Sequence, residues 1–338
     1  MVSAMAATDG IKLSSVEEAM FVDEVAAWPQ KTTIQHWQLR DLVSCGDSDD
    51  EFYTVCGKQV VSFDTAVARA FAVQTLDYSP TSMTVGCGFL ASGGQQSELT
   101  VTRLEDNSCV FNGVAGGTVN NALHIARGPN PGDVWLLVSN NDDTIKVLSL
   151  PGMVQLDTIF CSVAINYTAV SPCGSYMACV GDSRHAYLYS IKNGFNRITT
   201  YSEASDHGMC CSWNAAGNAF AAASQDGTVC VWDIRFGKVL AKFHSKEGAC
   251  RVVKYTRGPH DLLAFSEHTS FVHVVDSRTY DRKQTIRLGD EDQEPHISGL
   301  AFSKDASHLF VGTEDCVVQY EVDSVGRRAF ACGTINPR

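Results

Sequence analysis

The stretch Ser224–Phe243, SQDGTVCVWDIRFGKVLAKF, decides how the rest of the chain is read. Just before it, Phe220–Ser224 (FAAAS) is a short apolar run, closed by the turn cluster Gln225-Asp226-Gly227. TVCVWDI then alternates, with Val229 and Val231 on one face, and Phe236-Gly237 turns the chain into KVLAKF. Upstream, MCCSW and NAAG supply an inner strand and its turn. Together these are four antiparallel strands in about 40 residues, the length of one blade in a radial array of sheets.

The same unit recurs. The last apolar residue of its first strand falls at Tyr78, Ile125, Val170, Trp213, Tyr255 and Phe302, spaced 42 to 47 residues apart. The third strand and its preceding turn recur as SNNDDTIKVLSL, GDSRHAYLYSI, SEHTSFVHVVD and GTEDCVVQYEV, and more loosely as GGQQSELTVTRL and CGKQVVSFD. Counted together, the copies make seven blades between about Ile34 and Gly333. One blade exposes apolar residues on both faces, and stacking seven around an axis hides them and leaves only short edges. The expected fold is all-β, a seven-bladed β-propeller over residues 31–338 with an N-terminal extension at 1–30. Whether the ring closes through Arg327–Ala331 (RRAFA) or through His36–Val43 (HWQLRDLV) stays open in the sequence. In the extension, Ser15 with Glu18 reads as a capping box, followed by apolar Phe21, Val25 and Trp28 and a terminating Pro29. That pattern predicts a short amphipathic helix of about three turns, docked on the propeller or on a partner.

Composition narrows the function classes. Of 338 residues, 44% are hydrophobic and 19% charged, which allows a sizeable core. The net charge of -12 repels phosphate backbones and anionic lipid, so nucleic acid and membrane are not expected partners. It favours a protein or peptide partner carrying basic residues or a free amine. The 13 cysteines are odd in number and have no C-x-x-C spacing, which suits free thiols in a reducing compartment, cytoplasm or nucleus. No signal peptide or 18-residue apolar run is present. Gly86–Gly94 (GCGFLASGG) is followed by no helix, and Gly113–Gly117 (GVAGG) lacks the Lys-Ser/Thr of a phosphate-binding loop. No H-E-x-x-H or G-x-S-x-G occurs. The expectation is therefore no enzyme, no metal and no cofactor.

SQDGTVCVWDI carries the signature of a WD repeat, and the other copies are degenerate. In that reading Asp226 ties the tight turn and Trp232 packs between blades, both structural. HWQLRDLV, SNNDDTIKV, SPCGSYMACVGD, QDGTVCVWDIR, FVHVVDS and ISGLAFSKD also resemble, in the same order, segments of a poorly characterised family of fungal and plant WD-repeat proteins. The resemblance spans about Ile34 to Gly333 and implies a seven-bladed propeller with a non-enzymatic scaffold or receptor role. One departure is Ala204, which stands where a WD repeat usually has His before its first strand.

In a propeller the loops before each first strand and between second and third strands share one face. Taking the residue four before each landmark gives Gln74, Asn121, Asn166, Met209, Arg251 and Ser298, all polar except Met209. The tight turns add Gln95, Asn141, Arg184, Gln225, His268 and Glu314, and the loop before the fifth blade adds Asp206 and His207. These residues either line a wet channel or form a binding pocket. An arginine at such a mouth, Arg251, suits a carboxylate held bidentately, or else an internal acidic partner. His207 and His268 read either as groups that titrate near neutrality or, as a lone His more often is, as plain surface residues. The functional expectation is an interaction module that binds a peptide or protein tail on this face, as substrate receptor in a larger ubiquitin ligase assembly. The alternatives are a scaffold without a pocket, or an enzyme using the channel mouth.

Overall fold

Seven sheets stand around one axis, each built on four strands that pair antiparallel with their neighbours. The computed structural model describes residues 16–192, 194–290 and 292–331. Blades 1 to 6 occupy residues 43–75, 82–114, 120–160, 165–201, 208–244 and 250–287, and blade 7 combines 297–322 with Val22–Trp28. Strands are lettered a to d from the axis outward.

Burial explains the sequence pattern. In blade 5, strands b (Ala219–Ser224) and c (Thr228–Asp233) are buried at every residue, whereas the outer strand d (Lys238–His244) is mostly half-buried or exposed. The middle strands are covered by neighbouring blades on both faces, so they read as continuous apolar runs rather than clean alternation. Phe220 and Trp232 lie 5.0 Å apart, with Tyr201 of blade 4 at 5.2 Å from Trp232. This aromatic contact joins two blades. All seven third-strand copies read from the sequence are strand c of a blade.

Three expectations are corrected. The first concerns Glu17–Trp28, which forms no helix. Val22–Trp28 is instead strand d of blade 7, antiparallel to Val317–Val322 with Val22 opposite Val322 and Trp28 opposite Val317. Strand c of that blade would otherwise be an open edge of unpaired N–H and C=O groups, and pairing with it overrides a weak local helical pattern. Glu17–Glu18 extend blade 6 as a fifth, parallel strand beside Arg282–Lys283. Ser15 of the capping box lies outside the described residues. The propeller therefore takes in residues before position 31.

The second concerns ring closure, which uses neither segment considered. Arg327–Ala331 belongs to a terminal helix, Ser324–Ala331, while Gln38–Asp41 lines the channel mouth and Val43 opens strand a of blade 1. The helix is fastened by Arg327, whose guanidinium meets both carboxylate oxygens of Asp276 at 2.7 and 3.0 Å and the carbonyls of His260 and Asp261.

The third concerns blade 2, whose strand a is Ser82–Gly86. Tyr78, the landmark chosen by apolar spacing, sits in the connection before it and donates its hydroxyl to the Ser92 carbonyl at 2.8 Å. Leu76 and Tyr78 mimic the end of a strand, while the true strand, SMTVG, offers only Met83 and Val85 as large apolar residues.

Candidate binding site at the channel mouth

The mouth is built from a repeated irregularity. In blades 3 to 7, strand a carries a β-bulge at its second residue, and the residue left unpaired is Asn121, Asn166, Met209, Arg251 or Ser298. A bulge re-aims the extra side chain out of the ladder, here toward the axis. Blade 2 offers Ser82 at the corresponding place. Three of these residues bind the next blade in turn. Ser82 Oγ donates to the Asn120 carbonyl (2.8 Å), Asn121 Nδ2 to that of Ile165 (2.9 Å) and Asn166 Nδ2 to that of Gly208 (3.0 Å). Asn121 and Asn166 are thus blade-to-blade ties, nine-tenths buried. Gln74 is elsewhere. It lies on strand d of blade 1, donates to Thr102 Oγ1 (3.0 Å) and accepts from Ser92 (2.5 Å), so it joins blades 1 and 2 away from the mouth.

The series of ties breaks at Met209, which has no N–H or O–H to give. Arg251 reaches back across the gap. Its Nη1 donates to Gln225 Oε1 at 2.8 Å and approaches Met209 Sδ at 3.1 Å, and its Nε donates to His268 Nδ1 at 3.2 Å. The acidic internal partner considered for Arg251 is not there, since all three contacts are neutral. Burial pushes the guanidinium down to about 10. His268 is pushed down to about 4 by burial and by the charges of Arg40, Arg251 and His296, so it is neutral at neutral pH, contrary to the expectation from its residue type. Ser298 Oγ is buried without a hydrogen-bond partner among the described residues.

The segment Gln35–Asp41 is the part of the site that register reasoning missed. Gln95 Nε2 holds the Gln35 carbonyl at 3.1 Å, and the chain then descends so that Gln38, Leu39, Arg40 and Asp41 line the channel mouth. Asp41 is fixed from the far side, accepting from Lys254 Nζ at 2.6 Å and the Tyr167 hydroxyl at 2.7 Å. Burial opposes the charge on Lys254, yet Asp41 outweighs it and raises the amine above its ordinary value. Arg40 donates to the carbonyls of His36 and Leu39. Trp37 remains 63% exposed above the mouth, with the Arg251 guanidinium 5.9 Å from its ring. What is left of the channel mouth is a cavity of about 20 Å³, room for one water.

Around the rim the remaining expected residues divide by charge. On blades 4 and 5, His207 lies between Asp182 (3.7 Å) and Asp206 (3.9 Å), and Asp182 accepts from Asn166. Asn141 accepts from Asn121 at 3.4 Å, and Arg184 is exposed. Glu314 is exposed on blade 7 and acts on Arg40 at longer range than an ion pair. Asp226 holds its turn through Thr228 N and Oγ1 (3.0 and 2.6 Å) and also clasps Ser205 N and Oγ (2.7 and 2.8 Å) in the loop beside Ala204. Trp232 Nε1 donates to Glu203 Oε2 at 2.8 Å. Among the described residues no three His, Cys, Asp or Glu side chains converge as a metal site.

The repeat geometry has a counterpart among known proteins. Residues 197–233, running from strand d of blade 4 through strand c of blade 5, match the WD domain, G-beta repeat. The chain is a WD-repeat propeller. Residues 248–287, which contain all four antiparallel strands of blade 6 and Arg251, match an uncharacterised protein domain, DUF2415. This WD-repeat propeller is 29% identical over 327 residues to an uncharacterized protein of Schizosaccharomyces pombe, covering 89% of this chain and 92% of the relative. It is 38% identical over 100 residues to an uncharacterized protein of Saccharomyces cerevisiae, a match covering 28% of this chain and 14% of the relative. WD-repeat propellers are in general non-enzymatic and bind protein partners.

Proposed function

We propose that this WD-repeat propeller is an interaction protein whose loop-rich face holds the end of a peptide or protein tail by a free amine or a basic residue. The observation that carries the reading is the rim on blades 4 and 5, where the Asp182 and Asp206 carboxylates, both about half exposed, flank His207. Carboxylates accept the donors of an ammonium group, and exposed Trp37 offers a ring face on which a cation or an apolar side chain rests. The net charge of -12 draws a basic partner toward the protein, and the rim carboxylates decide where it is held. The test is calorimetric titration with short peptides bearing either a free or an acetylated N-terminus, at low and high salt. Binding is expected for the free amine, weaker at high salt and lost in a D182N/D206N variant. Equal binding of acetylated peptide, or none of either, overturns the reading.

The finer role we propose is substrate receptor of a ubiquitin ligase assembly, in a reducing compartment. A receptor needs a second docking surface. Phe236, 70% exposed in the turn between strands c and d of blade 5, lies on the face opposite the mouth and supplies an apolar contact there. Affinity purification of the full chain and of F236S, assayed for co-purifying ubiquitin transfer activity, tests it. Activity with the full chain and its loss with F236S supports the role, and no activity with the full chain overturns it.

A further inference from the structure

We infer that Arg40 and Arg251 form a binding slot for a carboxylate group at the channel mouth. Both side chains are only 5% exposed, and both line the same small cavity. Neither forms an ion pair among the described residues. Among the described residues the partners of Arg251 are Gln225, Met209 and His268, those of Arg40 are two backbone carbonyls, and the buried Nε of Arg40 has no acceptor. Asp41, the carboxylate next in sequence, is engaged by Lys254 and Tyr167, and Glu314 acts only from a distance. Two guanidinium charges that repel one another have therefore been taken out of water without a counter-charge. Buried charges are ordinarily paired, because an uncompensated one is costly. Each guanidinium presents N–H donors in a planar fork that matches the two oxygens of a carboxylate. The cavity that both residues line admits a group the size of one water, so one carboxylate oxygen enters it while the remainder of its molecule extends outward toward Trp37, whose ring is 5.9 Å from the Arg251 guanidinium.

The slot lies beside the acidic rim and does not depend on it. A ligand with an amine at one end and a carboxylate at the other would span the two, and a free small carboxylate would fill the slot alone. The test uses the full chain titrated calorimetrically with sodium acetate, the ionic strength being held with sodium methanesulfonate. Saturable acetate binding is expected, weakened at least about tenfold in R251Q, unchanged in K304Q on the opposite face, and restored in part by R251K. R40Q is the second variant, with the same loss expected. Absence of saturable binding, or binding equal in wild type, R251Q and R40Q, overturns the slot. A peptide with a free C-terminal carboxylate and its amide then separate the two sources. Tighter binding of the acid places a peptide carboxylate in the slot, and equal binding beside saturable acetate assigns it to a free small carboxylate. Because acetate carries no amine, failure of the D182N/D206N experiment leaves this result standing.

Discussion

Asp226 shows how one side chain can be both turn former and clamp. Its carboxylate accepts from Thr228 within the turn and from Ser205 in the neighbouring loop. Burial alone would raise this carboxyl, but those hydrogen bonds overcome it and hold the group at about 2, below its ordinary 3.8. A carboxyl depressed on folding adds stability that is complete above the unfolded-state value and is lost as the pH falls toward the folded one. Between about pH 4 and pH 2, the wild type is expected to lose this contribution, whereas D226N loses less across the same interval. Urea midpoints measured along that pH range check it. At neutral pH, D226A is expected to cost about 1 kcal/mol, the value for charged hydrogen bonds discounted for a carboxylate that is only half-buried. Gln74 gives the opposite lesson. A polar residue in an apolar run looked like a channel residue, and it is a buried tie between two blades.

At the scale of elements, two segments outside the repeat decide the architecture. Val22–Trp28 completes blade 7 from the other end of the chain, with Trp28 donating to Gln319 Oε1 at 2.8 Å and resting 5.4 Å from Phe63 of blade 1. A chain beginning at Pro29 leaves strand c of blade 7 as an open edge. It is expected to melt well below the full chain and to aggregate, which thermal melting with light scattering would show. Trp28→Ala, at a half-buried position, is expected to cost about 2 kcal/mol. The second segment, Gln35–Asp41, is latched by Asp41 to Lys254 and Tyr167. Removing one member of a partly buried pair leaves the other poorly compensated, so K254M is expected to cost about 2 kcal/mol, with the D41N/K254M double variant recovering part of the loss. Additive losses in that double-mutant cycle would mean that the pair does not act as a latch.

At the scale of the whole molecule, the charge of the protein and the charge of its mouth differ. The chain carries -12 overall, yet the channel mouth presents Arg40 and Arg251, with the carboxylates Asp182 and Asp206 confined to the rim on blades 4 and 5. Net charge governs long-range attraction and solubility, whereas the few groups at a mouth govern what is held there. Trp37 stands over this divided surface. Because it is 63% exposed, W37A is expected to leave stability within about 0.5 kcal/mol while weakening peptide binding about tenfold, as a contact residue at the centre of an interface would. Chemical denaturation beside calorimetric titration of the same variant separates the two effects.

The sequence by itself determined the repeat, the number of blades and the position of every third strand, because those depend on local turn chemistry and on burial that recurs every forty or so residues. SQDGTVCVWDI was enough to set the frame, and the bulge residues Asn121, Asn166, Arg251 and Ser298 could be found by counting from it. Only the tertiary structure decided which of those side chains are occupied as ties, that Glu17–Glu18 and Val22–Trp28 are strands rather than one helix, and that Gln38–Asp41 lines the mouth. Each of these outcomes rests on contacts between residues far apart in the chain, such as Asp41 with Lys254 or Val22 with Val322. A pattern confined to neighbours along the chain holds no record of which distant edge or charge a segment will meet, and there the geometry of the closed ring had the deciding voice.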